Sequence, residues 1–378
     1  MKKIFILTGE PSGDKLASEV VGKLIILNPN IQYLSVGGNQ LKELGIKSIY
    51  DLKDITFFGF TSVLMNLIKI KKKIDFTVNK IIEFNPDILF SVDSPDFTFR
   101  VIEKVKKLNK NIKTIHFVAP QVWIWRKYRL KKIKNFLDHV LILFKFEKKY
   151  FDEENINCTF VGHPLLDNFT SNNLNPLKAI DIKKNIISIF PGSRLSEIKK
   201  LLPICFDFIR LMNGKYSDIT YFIHTSVDFD SLIKKEVLQS NILNIEVISD
   251  PVIKNKILSK SFFAVVKSGT ITLEVSNLKI PFITIYRLNF INFFLVKLFL
   301  KIKFVNIINI INNKEIVPEL LQNECNPEEI FRTVNYFIKH PELSKEQIKN
   351  CQKTLNEIRS ESSSSTDVAN ILINHLII

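Results

Sequence analysis

The turn Gly9-Glu10-Pro11-Ser12-Gly13-Asp14 sets two glycines and two carboxylates directly after the apolar run of residues 4–8. Glycines there let a phosphate approach the backbone, whereas two anions in the same turn would repel it. The stretch is therefore open to a phosphate or to another polar ligand. It is not a G-x-G-x-x-G fingerprint, and it lacks the Lys-Ser/Thr pair of a P-loop. Asp93, in SVDSPDF at the end of the apolar run of residues 88–92, is placed to accept a proton from an attacking hydroxyl. Asp96, beside Pro95, fits a helix cap equally well.

Pro191-Gly192-Ser193-Arg194 follows the run of residues 186–190 and precedes a helical pattern. Glycine allows close backbone approach, a helix start presents unpaired amides, and Arg can fork onto phosphate oxygens, so the stretch suits a diphosphate as well as an ordinary turn. Ser268-Gly269-Thr270 stands at the start of another helical pattern, with Glu274 one turn further on. A carboxylate there can accept hydrogen bonds from ribose hydroxyls, although an acid in a first helical turn is also favoured by the helix dipole alone. Taken with PGSR, these residues describe a nucleotide site in the second half of the chain. The stretch APQVWIWR, residues 119–126, holds both tryptophans. Trp123 and Trp125 suit sugar faces, acyl chains or the core, and Gln121 and Arg126 can orient hydroxyl or phosphate groups. His163, in Gly162-His163-Pro164, is as well explained by a structural turn as by function. Asp228-Phe229-Asp230 has the form of a D-x-D metal clamp, but no companion residues surround it and it reads as a solvated loop.

These residues need elements to hold them. Short apolar runs at residues 4–8, 33–36, 88–92, 114–118 and 140–144 alternate with helix-length sequence, such as residues 14–27. A second series follows at 186–190, 220–223, 245–248, 263–266 and 282–285. Runs of this kind predict parallel strands in doubly wound sheets, where ligands bind beyond the carboxyl ends of the strands. Residues 170–176, rich in Asn, Ser and Pro, read as a linker. The expectation is α/β, with two Rossmann-like doubly wound domains facing a cleft: residues 1–168, completed by a C-terminal helix within 355–378, and residues 169–354. Residues 362–365 are four serines, a loop or cap before a last helix at 367–376.

The chain has 378 residues, 46% of them apolar and 24% charged, which is globular composition with room for two domains. Cys158, Cys205, Cys325 and Cys351 are far apart and form no C-x-x-C pair, which predicts neither a zinc site nor a disulfide framework and fits a reducing cytoplasm. The N-terminal apolar run is too short for a signal peptide core. A net charge of +15 implies attraction to polyanions, although the abundance of Lys, Ile, Asn and Phe also fits A/T-rich coding. No recognition helix or RNA-binding signature accompanies that charge, so nucleic acid is not an expected partner. Residues 57–70 and 288–304 are apolar stretches studded or flanked by lysines. Charges interrupt them too early for a membrane span. They suit a segment lying on an anionic bilayer, a buried helix or a dimer contact.

The motifs GEPSGD, SVDSPDF, APQVWIWR, GHPLLD, FPGSR, SGTITLE and VPELLQ, in this order, resemble those of the lipid-A-disaccharide synthase family. The likeness extends from about residue 4 to 325 and is weaker between about 210 and 260. It implies a GT-B-like inverting glycosyltransferase of lipid A biosynthesis. Such an enzyme transfers 2,3-diacylglucosamine from UDP to the 6-hydroxyl of 2,3-diacylglucosamine 1-phosphate, giving a β-1,6 disaccharide 1-phosphate and UDP. It needs no cofactor and no metal. The resemblance further implies work at the inner face of the cytoplasmic membrane, peripherally attached, and a homodimer that exchanges C-terminal parts. Carried over by position, Ser193, Arg194, Ser268, Gly269, Thr270, Glu274, Tyr286, Arg287 and Asn309 would hold UDP. GEPSGD would then face the acceptor, with Gly9, Ser12, Gly13 and Asp14 joined by Gln121, Trp123 and Arg126. Asp93 is the expected general base and Glu10 the second choice. Lys267 stands where the family usually has a small residue, and Ile308 where a proline is expected before Asn309. Rival readings are another GT-B-like UDP-sugar enzyme, either an epimerase or a transferase with a different acceptor, and a basic binding protein without catalysis.

Overall fold

Apolar runs of four to seven residues, bounded by turns and buried on both faces, form strands when helices cover the sheet on either side. The computed structural model describes residues 1–55, 67–120, 128–169, 185–287 and 303–377. The chain divides into two units, Met1–Asp167 with Ile358–Ile378, and Asn168–Glu357. The expected linker, Gln121, Trp123, Arg126 and most of both lysine-studded apolar stretches lie outside the described residues.

The first unit holds β1 (Lys2–Thr8), β2 (Ile31–Val36), β3 (Ile88–Val92), β4 (Lys113–Phe117), β5 (His139–Ile142) and β6 (Cys158–Phe160). They form one sheet in the order 2-1-3-4-5-6, every pair parallel. Its helices are α1 (Pro11–Leu27), α2 (Asn39–Glu43), α3 (Leu67–Phe84), α4 (Pro95–Leu108), α5 (Tyr128–Ile133) and α6 (Lys148–Glu153). Phe5, Leu7 and Leu89 join Ile74, Val78 and Ile81 of α3 and Val101 and Val105 of α4 in one core. Each such side chain contributes about 1.5–3 kcal/mol by leaving water.

The second unit holds β7 (Asn185–Phe190), β8 (Ile219–His224), β9 (Ile245–Ile248), β10 (Phe263–Lys267), β11 (Phe282–Tyr286) and β12 (Glu319–Leu321). Their order is 12-11-10-7-8-9, again all parallel. Helices α7 (Leu195–Asn213), α8 (Asp230–Ser240), α9 (Pro251–Leu258), α10 (Ile271–Asn277), α11 (Ile307–Asn312), α12 (Pro327–Lys339) and α13 (Pro341–Ile358) surround it. Ile198, Leu201 and Ile209 of α7 pack with Ile330, Val334 and Phe337 of α12 over Ile187, Val265 and Ile283.

The chain then returns to the first unit through α14 (Ser364–Ile377), which lies against α1 and β3. The Ile358 carbonyl accepts from the His163 amide, Ser364 Oγ donates to the Gly162 carbonyl, and the Ser365 amide donates to Asp167. His139 Nδ1 and His375 Nε2 meet at 2.9 Å, and His139 Nε2 meets Thr159 Oγ1 at 2.8 Å. The serine run opens the helix, since Ser363 Oγ accepts from the Thr366 amide.

Three expectations change. The run of residues 140–144 stops pairing at Ile142, because the buried Glu147 carboxylate takes the Leu143 and Phe144 amides, each at 2.9 Å. Strands β6 and β12 escape the apolar pattern, since three-residue edge strands carry too short a period to be read. Asp228-Phe229-Asp230 is not a loop. It is a 3-10 turn, Val227–Phe229, followed by α8, whose first residue Asp230 pairs with Lys234 at 2.7 Å. No helix among the described residues is long and apolar enough to cross a membrane.

The histidine pair makes a pH dependence. Burial, then His375 and Lys113, hold His139 down at about 4, and burial with Lys113 lowers His375. Burial also holds His163 at about 4 and His116 at about 3. Below about pH 6.5 the unfolded chain takes up protons that the folded chain refuses. The histidines' contribution to stability is therefore complete above that pH and falls as pH drops towards 4. Urea midpoints measured at pH 7.5, 6 and 5 should decline, and His375→Gln should reduce the slope.

Candidate functional site

Each sheet has one place where neighbouring strands send their connections to opposite sides, and there a crevice opens beyond the carboxyl ends. In the first unit it lies between β1 and β3, and in the second between β7 and β10. GEPSGD and SVDSPDF flank the first. PGSR and SGT flank the second.

In the first unit, Asp93 and Ser94 both adopt left-handed backbone, with φ of 56° and 47°. Val118, just past β4, has φ of 72°, a costly conformation for a β-branched residue. The surroundings hold this strain in place. The Asp93 amide donates to the Phe117 carbonyl, and Thr98 Oγ1 reaches the Asp93 and Ser94 carbonyls. His116 Nε2 lies 3.1 Å from the Val118 carbonyl, which can only accept, so Nδ1 accepts from Ser91 Oγ at 2.8 Å. Burial keeps that ring neutral.

The Asp93 carboxylate, half-buried, takes one bond at each oxygen, from Ser12 Oγ at 3.1 Å and from the Ser94 amide at 2.7 Å. Close approach of the two turns explains the glycines. A Cβ on Gly9 would stand 2.6 Å from Ser94 Cβ, and one on Gly13 would stand 2.9 Å from the Val92 carbonyl oxygen. Ser94 Oγ, buried here, has no hydrogen-bond partner among the described residues. Glu10 is exposed at the mouth of the turn.

Asp14, expected at the acceptor, bonds within the chain. It is buried, and its oxygens accept from the Gly38 amide at 2.7 Å and the Gln40 amide at 2.9 Å. It ties α1 to the start of α2. Asp96 lies in the first turn of α4.

In the second unit, Ser193, Arg194, Gly269, Thr270 and Arg287 are exposed past β7, β10 and β11, three adjacent strands. Gly192 takes φ of 124°, and a Cβ there would stand 2.6 Å from Glu197 Cβ. Glu197 folds back over the turn, accepting from the Ser193 and Arg194 amides at 3.1 and 3.3 Å. Its other oxygen meets Lys267 Nζ at 2.9 Å, and that ammonium stands 5.2 Å from the Tyr286 ring centroid. Burial, then the Glu197 carboxylate, push the Tyr286 phenol up, while Arg194 opposes them. Ser268 Oγ donates to the Val305 carbonyl, and Glu274 pairs with Lys254 at 2.7 Å.

Asn309, expected at UDP, lies in the interior of the second unit. It is fully buried, its amide donates to the Val317 carbonyl and to Glu319, and its oxygen accepts from the Ile316 and Val317 amides. Every polar atom of that side chain is spent on the chain itself. Ile308 fits without strain: its amide, which proline would lack, donates to Asn306 Oδ1 at 2.8 Å.

Sequence reasoning missed Glu197, Lys254 and Ser94, and met Lys267 only as a departure. Glu197 carried a signal, since an acid three residues after a helix start often reaches back to the amides there. Lysines pairing across elements carried none.

A sequence profile of the lipid-A-disaccharide synthetase family matches residues 4–373. The chain belongs to that family. It is an enzyme of the glycosyltransferase class, which sets aside the reading as a binding protein without catalysis. It is 31% identical over 350 residues to the lipid-A-disaccharide synthase of Rhodospirillum centenum, covering 91% of this chain and 87% of that one. It is 34% identical over 392 aligned positions to the enzyme of the same name from Wigglesworthia glossinidia brevipalpis, covering 100% of both. The fold is GT-B-like. A solved UDP-GlcNAc 2-epimerase from Neisseria meningitidis, bound to UDP-GlcNAc, superposes with a TM-score of 0.68 over 99% of this chain and 100% of that one. At 15% identity that likeness concerns the fold alone.

Two glycines of α1 offer an internal contrast. Gly13→Ala meets a backbone carbonyl and should cost about 1–3 kcal/mol, together with activity, because Asp93 moves. Nothing lies within 4 Å of a Cβ on Gly22, so Gly22→Ala should stabilise by about 0.5–1 kcal/mol and leave activity intact. Urea unfolding and initial rates check both.

Proposed function

We propose that the enzyme transfers 2,3-diacylglucosamine from UDP to the 6-hydroxyl of 2,3-diacylglucosamine 1-phosphate, with inversion, releasing UDP. The acceptor belongs to the first unit and the UDP-sugar to the second. What carries the reading is Asp93: a half-buried carboxylate at the first switch point, fixed at both oxygens on strained backbone, in a chain that belongs to this family. Strained residues kept in place by their surroundings cluster at functional sites.

In this reading Asp93 takes the proton from the acceptor 6-hydroxyl as that oxygen attacks the anomeric carbon and the bond to UDP breaks. A single displacement needs one base and no covalent intermediate. Gly9, Ser12 and Gly13 hold Asp93 in place, Asp14 fixes the crevice wall, and Glu10 remains the alternative base. Gln121, Trp123 and Arg126 are proposed to contact the acceptor. For the donor, Ser193, Arg194, Ser268, Gly269 and Thr270 bind the diphosphate, Glu274 the ribose, and Tyr286 and Arg287 border the same site. Arg194 and the start of α7 place positive potential where the departing diphosphate develops charge. Both substrates carry acyl chains, so the stretches 57–70 and 288–304 are proposed to rest on the inner face of the cytoplasmic membrane. A dimer exchanging C-terminal parts would place α14 on a partner's first unit.

Purified protein incubated with both substrates and a chelator should form the disaccharide 1-phosphate and UDP, followed by mass spectrometry. Asp93→Asn should lower kcat by about 10²–10⁴ with KM little changed, and Glu10→Gln should lower it less. Near-normal turnover by Asp93→Asn would remove Asp93 from the role of base. Absence of UDP release from wild type in detergent or lipid would sink the reaction itself.

A further inference from the structure

The Ser193 and Arg194 amides, at the start of a long helix, already hold an anion: the carboxylate of Glu197. Their distances to it, 3.1 and 3.3 Å, are longer than the 2.7–2.9 Å usual for charge-assisted bonds, so the carboxylate is loosely seated. Its counter-ion is Lys267, and the two side chains are only 15% and 18% exposed. Lys267 ends β10, directly before Ser268, and reaches across the switch point to α7 with its ammonium 5.2 Å from the Tyr286 ring centroid. A carboxylate on paired backbone amides, closed by an ammonium, has the donor set that a phosphate requires.

We infer that Lys267 is a further diphosphate-binding residue, and that Glu197 holds its place until the ligand arrives. This rests on the assignment of UDP to the second unit made above. A nucleoside diphosphate brings more than one negative charge to these amides, and Glu197 repels it. On binding, the diphosphate takes the Ser193 and Arg194 amides and the Lys267 ammonium, and Glu197 swings towards solvent. No bond is made or broken. The lysine departs from the small residue usual at this position, so this chain carries a cation of its own at the site.

A purely structural Lys267 would neutralise Glu197 and nothing more, and a double-mutant cycle separates the two roles. Binding of UDP, UMP and uridine is measured by calorimetry on wild type, Lys267→Met, Glu197→Gln and the double variant, with urea midpoints confirming that each is folded. Arg194→Ala serves as reference for the site. Lys267→Met should raise the Kd for UDP about tenfold, raise that for UMP less and leave uridine unchanged. Glu197→Gln alone should tighten UDP several-fold. In the double variant UDP should remain weaker than in Glu197→Gln by a similar factor. Equal UDP affinity in the double variant and in Glu197→Gln, or no effect of Lys267→Met while Arg194→Ala weakens UDP, overturns the inference and leaves the donor site standing. Failure of wild type to bind UDP overturns both.

Discussion

Every strand in either sheet runs parallel to its neighbours, and this constraint governs the rest. Parallel strands cannot be joined by hairpins, so each connection must cross over the sheet, here most often through a helix. All carboxyl ends then fall on one edge, and loops that share nothing in sequence become neighbours there. Where the direction of winding changes, the loops part and leave a crevice. GEPSGD and SVDSPDF are about 80 residues apart in the chain, yet β1 pairs directly with β3. The same holds for PGSR and SGT through β7 and β10.

A loop on such an edge must still satisfy its amides, and one device recurs. Asp14 takes the amides of Gly38 and Gln40, Glu147 those of Leu143 and Phe144, Glu319 those of Val305 and Asn306, and Glu197 those of Ser193 and Arg194. A carboxylate accepting two backbone donors replaces water at both. Asp14, Glu147 and Glu319 pin connections in this way. Glu197 alone of the four is also bound to a lysine over exposed amides, which marks it as the carboxylate that a competing anion can displace.

The central strands were legible because a strand buried on both faces is a near-continuous apolar run, as with residues 4–8, 88–92 and 263–266. The edge strands β6 and β12 were not, since their existence depends on the neighbour they pair with. The motif VPELLQ showed its family in the sequence, but its work showed only in the fold: Val317 and Glu319 fasten Asn309, which the sequence had placed at the ligand.

By itself the sequence determined the α/β class, the winding of two sheets, the positions at which the carboxylates and the PGSR and SGT stretches follow strands, and the family to which the chain belongs. Those are properties of local pattern and of motif order, and they survive without coordinates. Only the tertiary structure decided which polar side chains are spent on the chain and which face outward. Asp14, in the first turn of α1, and Asp93, directly after β3, both follow strands and look equivalent as letters. One is consumed by amides 24 and 26 residues away, and the other is held at both oxygens yet still half-exposed. A hydrogen-bond partner distant in sequence leaves no local trace, and burial is a property of the packed molecule.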